Sequence, residues 1–271
     1  MKIGNREFDC SGKHTYVMGI LNVTPDSFSD GGKWNHMDQA LFHAEEMIRD
    51  GADLLDIGGE STRPGYTKEV SDGEEIDRVA PVLYALKSRF DIPLSVDTYK
   101  SQVAAAAVEA GADLINDIWG FQYDPEMALV AAGAKVPCCL MHNRKEAVYG
   151  DYLRDVQADL RESIRLAKQA GLADDQIMLD PGIGFAKSYE QNLELLKHLE
   201  VVTELGYPVL LGTSRKSVIG LTLDLPVTER EEGTLATSVY GAMKGMAFVR
   251  VHNVKANVRA LRMLEKIELC P

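Results

Sequence analysis

The chain has 271 residues, and its 29 lysines and arginines against 41 aspartates and glutamates give a formal net charge of −12. Hydrophobic residues make up 45% of the sequence and charged residues 26%, which is typical of a globular protein and excludes disordered, collagenous and coiled-coil chains. The acidic balance argues against nucleic-acid binding, because neutralising phosphates requires a basic face.

Apolar runs and cysteines bear on where the protein works. The longest apolar runs are far shorter than the ~20 residues that span a bilayer, and the first ten residues lack the apolar core of a signal peptide. The four cysteines include no C-x-x-C spacing, so we expect free thiols rather than a disulfide framework. The sequence therefore predicts a cytoplasmic protein with no membrane partner.

Short segments rich in β-branched and apolar residues alternate with segments of helical spacing. The predicted strands are residues 16–20, 53–57, 93–96, 113–116, 137–141, 176–180, 208–211 and 248–251. The predicted helices are residues 38–50, 74–89, 100–110, 151–170, 190–204, 232–244 and 254–268. Apolar strands separated by helices indicate a parallel sheet covered on both faces, and eight βα units in about 250 residues predict a TIM (β/α)₈ barrel.

A weak internal repeat supports the barrel. The segment DGADLLDIGG at 50–59 is similar to AGADLINDIWG at 110–120, and in each a glycine ends a helix and an aspartate enters a strand. An open doubly wound sheet is the alternative, although no G-x-G-x-x-G follows the first strand. Residues 1–14 are expected to form a hairpin or plug at the bottom of a single-domain barrel covering 1–271.

Polar residues follow the predicted strands, at the end of a TIM barrel where catalytic residues lie. Asp97, Asn116 and Asp180 end three different strands. Inward-pointing carboxylates and an amide suit a flat heterocycle that presents several N–H donors. The alternative is that the two aspartates only cap the helices that follow.

A cationic cluster is predicted beside these acceptors. The segment GTSRKS at 212–217 runs from a strand into a helix, so it places backbone N–H groups and the Ser217 hydroxyl at a helix N-terminus, although it lacks the P-loop ending. Arg250 and His252 alternate along the last strand, so both can face the side to which Arg63 and Lys216 contribute. The alternative is that these are solvated surface charges.

Two polar loops, TPDSFSDGG at 24–32 and ESTRPG at 60–65, have the composition of lids that exclude water. Asn22 with Asp26 or Asp30 offers the oxygen ligands that Mg²⁺ shares with substrate phosphates, and no His/Cys cluster indicates zinc. His142 is either a base or a hydrogen-bonded structural residue.

Seven motifs in order, spread over essentially the whole chain, resemble the dihydropteroate synthase family. They are MGILNVTPDSFSDGG (18–32), DIGGESTRPG (56–65), SVDT (95–98), IND (115–117), LDPGIGF (179–185), GTSRKS (212–217) and RVHNV (250–254). The chain has Asn253 where much of the family has Asp, and Ala186 where some members have a second Gly.

The resemblance implies a TIM-barrel transferase of folate biosynthesis. It condenses 6-hydroxymethyl-7,8-dihydropterin diphosphate with p-aminobenzoate to give 7,8-dihydropteroate and pyrophosphate. By motif position, the residues implied at the pterin are Asp97, Asn116, Ile118, Met141, Asp180, Phe185, Gly212, Lys216 and Arg250. Those implied at the diphosphate, with Mg²⁺ held by Asn22, are Thr62, Arg63 and His252. Those implied around p-aminobenzoate are Phe28, Thr62, Pro64, Phe185 and Ser217.

The catalytic set implied by the resemblance is Asn22, Asp30, Arg63, Lys216 and His252. Family members are usually homodimers and are inhibited by sulfonamides, which mimic p-aminobenzoate. Two rivals stay open: a methyltetrahydrofolate:corrinoid methyltransferase-type barrel, which needs no diphosphate site, and an inactive pterin-binding paralogue. An inactive paralogue is expected to lack Asn22, Arg63 or Lys216, and all three are present.

Overall fold

The structure, a computed structural model, describes residues 1–24, 33–61 and 70–270. Its main sheet contains eight parallel strands in the order β8-β7-β6-β5-β4-β3-β10-β9. Their bounds are β3 (Tyr16–Asn22), β4 (Leu54–Gly58), β5 (Leu94–Asp97), β6 (Leu114–Asp117), β7 (Cys138–Met141), β8 (Ile177–Asp180), β9 (Leu210–Leu211) and β10 (Phe248–Val251).

The ends of this sheet meet, which makes it a barrel. Leu179 of β8 forms a parallel bridge with Val209, directly before β9, and its N–H donates to the carbonyl oxygen of Pro208 at 2.9 Å. This seam between β8 and β9 is the shortest pairing in the barrel, because β9 itself has two residues. The prediction of a TIM barrel is confirmed, and the alternative of an open doubly wound sheet is wrong.

Helices cover the outside of the barrel. Their bounds are α1 (Lys33–Arg49), α2 (Asp72–Arg89), α3 (Ser101–Glu109), α4 (Met127–Ala134), α5 (Tyr152–Ala170), α6 (Tyr189–Lys197), α7 (Glu200–Thr203), α8 (Ser217–Leu223), α9 (Glu231–Met243) and α10 (Val254–Glu268). Within the described ranges, none of these helices is both long enough and apolar enough to cross a bilayer.

Two helix predictions need correction. Helix α4 was not predicted, because its sequence MALVAAGA is apolar or small at every position and so has no visible helical period. The single helix predicted over 190–204 is two helices, because His198 leaves helical geometry at φ −113° and ψ 41°. Its ring Nδ1 lies 3.0 Å from Glu200 Oε1, at the start of α7.

The repeated Gly and Asp residues form equivalent turns. Gly51 and Gly111 follow helices at φ +101° and +110°, a left-handed conformation that glycine adopts without strain. Asp53 Oδ2 then accepts from the N–H of Val17 at 2.8 Å, and Asp113 Oδ2 accepts from the N–H of Leu94 at 3.0 Å. Each aspartate therefore ties its turn to the start of the neighbouring strand.

The barrel interior is built in layers. The lower layer is a cluster of buried apolar side chains, packed against Ile3 and Phe8 of the N-terminal segment; it comprises Met18, Leu54, Leu114, Cys139, Met178, Leu210 and Phe248. Ile3 belongs to an antiparallel hairpin of β1 (Lys2–Ile3) and β2 (Arg6–Glu7). Side chains alternate along a strand, so the residues two positions later form the next interior layer. That upper layer comprises Ile20, Asp56, Asn116, Met141, Asp180, Gly212 and Arg250, and Asp97, which pairs in register with Asn116, also belongs to it.

Candidate active site

Arg250 joins two buried carboxylates at the centre of the upper layer. Its Nε donates to Asp56 Oδ2 at 2.6 Å, and its Nη2 donates to Asp97 Oδ2 at 2.6 Å. The side chains are 20%, 0% and 7% exposed for Arg250, Asp56 and Asp97. Burial alone would lower the pKa of Arg250, but the two carboxylates raise it above its ordinary value. The guanidinium is therefore a fixed cation that bridges two buried carboxyl groups.

The second oxygen of each carboxylate is left without a partner. Asp56 Oδ1 and Asp97 Oδ1 are buried and accept no hydrogen bond from the described part of the chain. Burial raises the pKa of Asp97 to about 7, against the opposing effect of Arg250 and with a further contribution from Asp56. Because unpaired buried acceptors are rare in native proteins, this pair indicates a site for N–H donors of a ligand.

Asn116 is oriented by the same group. Its Nδ2 donates to Asp56 Oδ2 at 3.1 Å, and its side chain is buried. The amide nitrogen is thus directed to Asp56, which leaves the amide oxygen as an acceptor. Ile118 and Met141, beyond Asn116 and at the end of β7, are buried and apolar. A flat ring with polar edges and apolar faces matches this lining.

Asp180 and Lys216 lie on opposite sides of the seam between β8 and β9, and both approach Gly212. Asp180 Oδ1 accepts from the N–H of Gly182 at 2.7 Å. A Cβ placed on Gly212 would lie 3.6 Å from Asp180 Oδ2 and 4.0 Å from Lys216 Nζ, so the glycine leaves both groups accessible to a ligand. Burial lowers the pKa of Lys216 to about 8, although Asp180 opposes the shift. Burial also raises the pKa of Asp180.

Phe185 and Lys216 are in contact. Lys216 Nζ lies 4.6 Å from the centre of the Phe185 ring and donates to the carbonyl oxygen of Ile183. This cation–π contact holds the ring beside Lys216. The loop after β8 thus contributes both an aromatic surface and a backbone acceptor.

The remaining described candidates lie at the top of the barrel. His252 follows β10, and its Nδ1 lies 2.9 Å from Ser214 Oγ. Asn22 ends β3, and its Oδ1 is 3.3 Å from the position of a Cβ on Gly58, so this glycine keeps the amide oxygen uncovered. Ser217 begins α8 and is exposed. The predicted residues Phe28, Asp30, Thr62, Arg63 and Pro64, together with Asp26, lie outside the described residues.

Comparison with known proteins identifies the family. A model of pterin binding enzymes matches residues 18–252. The dihydropteroate synthase of Clostridium beijerinckii is 61% identical over 268 residues, which are 98% of this chain and 99% of that protein. The chain belongs to the dihydropteroate synthase family. It is therefore a transferase.

Solved structures of the dihydropteroate synthase family have the same fold. The enzyme from Clostridium difficile, solved in the presence of pteroic acid, has 49% identity and a TM-score of 0.92, covering 94% of this chain and 97% of its own. The enzyme from Yersinia pestis, solved as a complex with a sulfonamide drug, has 44% identity and a TM-score of 0.91, covering 99% and 98%. Their similarity extends over the whole barrel.

The two departures from the dihydropteroate synthase pattern are structurally mild. Asn253 Oδ1 accepts from the N–H of Ala256 at 3.1 Å, as the cap of α10, and an aspartate at this position has the same acceptor. Ala186 adopts φ +44°, a left-handed conformation that glycine enters more easily. Its carbonyl oxygen accepts from the Tyr149 hydroxyl at 2.7 Å, which holds this backbone in place.

Asp56 was not predicted as a site residue. It stood inside the predicted strand 53–57, where a charged residue among apolar neighbours was the available signal. His142 is a hydrogen-bonded structural residue, as one of its two interpretations proposed: it is buried, with Nε2 3.0 Å from Asp159 Oδ2 and Nδ1 2.8 Å from Lys187 Nζ.

We expect His142 to stay neutral well below neutral pH. Burial lowers its pKa from 6.5 to about 4, helped by Lys187 and opposed by the hydrogen bond to Asp159. Below its ordinary pKa the unfolded chain binds a proton that the folded chain does not, so this part of the folding free energy is present above about pH 6.5 and is lost as pH falls towards 4.

Two-dimensional NMR of the imidazole nitrogens measures this directly. We expect the His142 signals to show a neutral ring with the proton on Nε2 throughout pH 5–8, whereas the half-exposed His198 serves as an internal comparison. A His142 ring that is half protonated near pH 6.5 contradicts the prediction.

Proposed function

We propose that the mouth of the barrel condenses 6-hydroxymethyl-7,8-dihydropterin diphosphate with p-aminobenzoate, giving 7,8-dihydropteroate and pyrophosphate. The observation that carries the proposal is the ring of acceptors in the upper layer, with two buried carboxylate oxygens unpaired at Asp56 and Asp97. The N–H groups on the edge of a pterin supply the missing donors. Asn116 and Asp180 extend the acceptors along the same edge.

The pterin ring lies between the acceptors and the cations in this proposal. Arg250, fixed by Asp56 and Asp97, stacks on one face of the ring, and Lys216 with Phe185 stands beside Asp180. Ile118 and Met141 supply apolar contact. Gly212 leaves the space into which the ring enters. Catalytic roles for Asn22, Lys216 and His252 are proposed from the family resemblance.

The demanding step of the proposed reaction is departure of the diphosphate, and a general base is not required. The aniline nitrogen of p-aminobenzoate is nonbasic and carries a free lone pair, so no residue has to deprotonate it before attack. The C–O bond between the pterin methylene and the diphosphate breaks, the C–N bond forms, and the nitrogen then loses a proton to solvent. Carboxylates at Asp97 and Asp180 stabilise positive charge on the pterin, which favours an SN1-like path.

The residues present fit a magnesium ion that arrives with its substrate. Among the described residues there is no group of three or more His, Cys, Asp or Glu able to form a protein cage. Mg²⁺ keeps several waters and binds substrate phosphates with one or two protein oxygens, and the uncovered amide oxygen of Asn22 is one such ligand. When bound, the ion neutralises charge that develops on the departing diphosphate.

Two further contacts rest on the family resemblance. His252, 2.9 Å from Ser214 Oγ through its Nδ1, is proposed to contact the diphosphate together with Thr62 and Arg63. Phe28, Pro64 and Ser217 are proposed to surround p-aminobenzoate, and Asp30 completes the catalytic set.

Pyrophosphate release on mixing the two substrates tests the proposal. We expect release that requires both substrates and Mg²⁺, with dihydropteroate formed in equal amount. A corrinoid methyltransferase-type barrel releases no pyrophosphate, and an inactive paralogue binds the pterin without turnover. Either result overturns the proposed activity.

Sulfonamides are expected to inhibit turnover in competition with p-aminobenzoate. The drug carries the same aniline, and the first motif, residues 18–32, contains no insertion that excludes it. Initial rates at several p-aminobenzoate concentrations measure the effect, with the apparent KM for p-aminobenzoate rising with sulfamethoxazole and kcat unchanged. Turnover insensitive to sulfamethoxazole contradicts the prediction.

A cytoplasmic homodimer completes the proposal. Large apolar side chains are exposed on three neighbouring helices: Leu221 of α8 is 65% exposed, Met243 of α9 66% and Met263 of α10 62%. A second copy of the chain is the partner that the family resemblance supports for such a surface. Sedimentation equilibrium that returns only monomer at micromolar concentration overturns it.

A further inference from the structure

A second polar cluster packs against the loop that follows β8. Lys187 Nζ donates to the carbonyl oxygens of Gly182 at 2.9 Å and Phe185 at 3.0 Å, and lies 2.8 Å from His142 Nδ1. An ammonium has three protons, and these three acceptors use all of them. Lys187 is therefore committed to the loop and to His142.

The other members of the cluster fix the direction of every hydrogen bond. Asp159 accepts from Arg144 through Nε at 2.6 Å and Nη2 at 3.2 Å, and its Oδ2 lies 3.0 Å from His142 Nε2. Because a carboxylate only accepts, His142 carries its proton on Nε2 and presents the Nδ1 lone pair to Lys187. Burial acts to raise the pKa of Asp159, but His142 and Arg144 outweigh it and lower the pKa to about 2.

The loop held by this cluster reaches the proposed pterin site at three points. The Gly182 N–H donates to Asp180 Oδ1 at 2.7 Å, the Ile183 carbonyl oxygen accepts from Lys216, and the Phe185 ring lies 4.6 Å from Lys216 Nζ. Gly182 adopts φ +68°, and a Cβ there would lie 1.9 Å from the carbonyl oxygen of His142. The backbone of the loop is therefore closely packed at Gly182, between the cluster and the proposed pterin site.

We propose that Lys187 is a positioning residue for the pterin: by holding the Gly182 and Phe185 carbonyls, it sets the loop that places Phe185 and Lys216 beside Asp180. The proposal rests on the proposed function of the same site. A buried ammonium is costly unless its protons are paired, and the two loop carbonyls and His142 pair all three.

The test replaces Lys187 with methionine, which has similar length but no donor. Calorimetry measures binding of the pterin diphosphate, and kinetics measure KM for each substrate. In Lys187→Met we expect pterin binding to weaken about tenfold or more, since small misplacements of binding groups have effects of this size. We expect KM for p-aminobenzoate to change less, because Phe185 is the one residue of this loop among those implied around p-aminobenzoate. Thermal unfolding is measured in parallel.

If the single variant does not fold, the same binding measurements are made on the double variant Lys187→Met/His142→Leu. It replaces both partners of the Lys187–His142 hydrogen bond with apolar groups, so it leaves no unpaired Nδ1 acceptor at His142, and it still lacks the donors to the loop. The exposed Lys145→Met, nearby in sequence to His142, is the matched control and is expected to behave as wild type.

The outcomes separate the two proposals. Wild-type protein that binds no pterin overturns the proposed function. Wild-type protein that binds, with the Lys187 variants within about twofold of it, overturns only the positioning role. Equal loss of affinity for both substrates with a matching fall in Tm also overturns that role, since it shows general destabilisation.

Discussion

Asp180→Asn is expected to bind the pterin roughly a hundredfold more weakly than the wild type, a loss of about 3 kcal/mol, because hydrogen bonds to a charged acceptor contribute about 1.5–3 kcal/mol each. One oxygen of the side chain must still accept from the Gly182 N–H. In the asparagine variant the remaining atom is an NH₂ group, which faces the N–H donors of the pterin and the ammonium of Lys216. The NH₂ group cannot accept a hydrogen bond from either of these donors, so binding of the pterin is weakened.

Calorimetric titration with the pterin diphosphate measures the change. The stability of Asp180→Asn is not expected to fall much, since the variant removes a charge whose burial already raises the pKa of Asp180. Asp175→Asn, in the exposed turn before β8, is the matched control and is expected to leave affinity unchanged. A folded Asp180→Asn protein with wild-type affinity rules out Asp180 as a ring-edge acceptor.

Arg250→Met is expected to lower the free energy of unfolding by about 3–5 kcal/mol, the range for removing one partner of a buried ion pair. The variant leaves the carboxylates of Asp56 and Asp97 buried without a cation between them. We expect pterin binding to be lost as well, because Arg250 is the proposed stacking surface for the ring. Chemical denaturation measures the stability, and Arg259→Met, exposed on α10, is the control.

The stability deficit of Arg250→Met is expected to depend on pH. Arg250 lowers the pKa of Asp97, which burial holds at about 7, so its removal raises that pKa further. A carboxyl whose folded-state pKa lies above its unfolded value binds its proton first in the folded state. The deficit is therefore largest in alkaline solution and shrinks as pH falls towards about 7. A deficit that is constant from pH 9 to pH 7 contradicts this account.

The spacing of apolar residues and the polar residues that end each apolar run were sufficient to predict the barrel. Each strand was located by a short apolar run, and the polar residues that end these runs, such as Asp97 and Asp180, do lie at one mouth. The reason is geometric: parallel strands bring their carboxyl ends together, and alternate residues share the interior. Helix α4 was missed because an entirely apolar helix has no period to detect.

The contacts within the site were less predictable. Asp56 lies two residues after Leu54 of the apolar layer, so it faces the interior, but its bond to Arg250 joins residues 194 positions apart. Nothing in either local sequence encodes that pairing. The same holds for Lys187: its partners are His142, directly after β7, and two carbonyls of the loop after β8, and His142 in turn contacts Asp159 of α5. Such partnerships depend on the closed barrel and become visible only in three dimensions.

The short pairing between β8 and β9 has a consequence for dynamics. Asp180 lies on one side of that junction, and Gly212 and Lys216 lie on the other. A ligand that contacts all three residues therefore links the two edges of the sheet. Amide hydrogen exchange in the free protein should be fastest for strand residues along this line, such as Leu179 and Leu211, and a bound pterin should slow it there more than at the opposite wall. Bound ligand would thus stabilise the closure of the barrel at its shortest strand pairing.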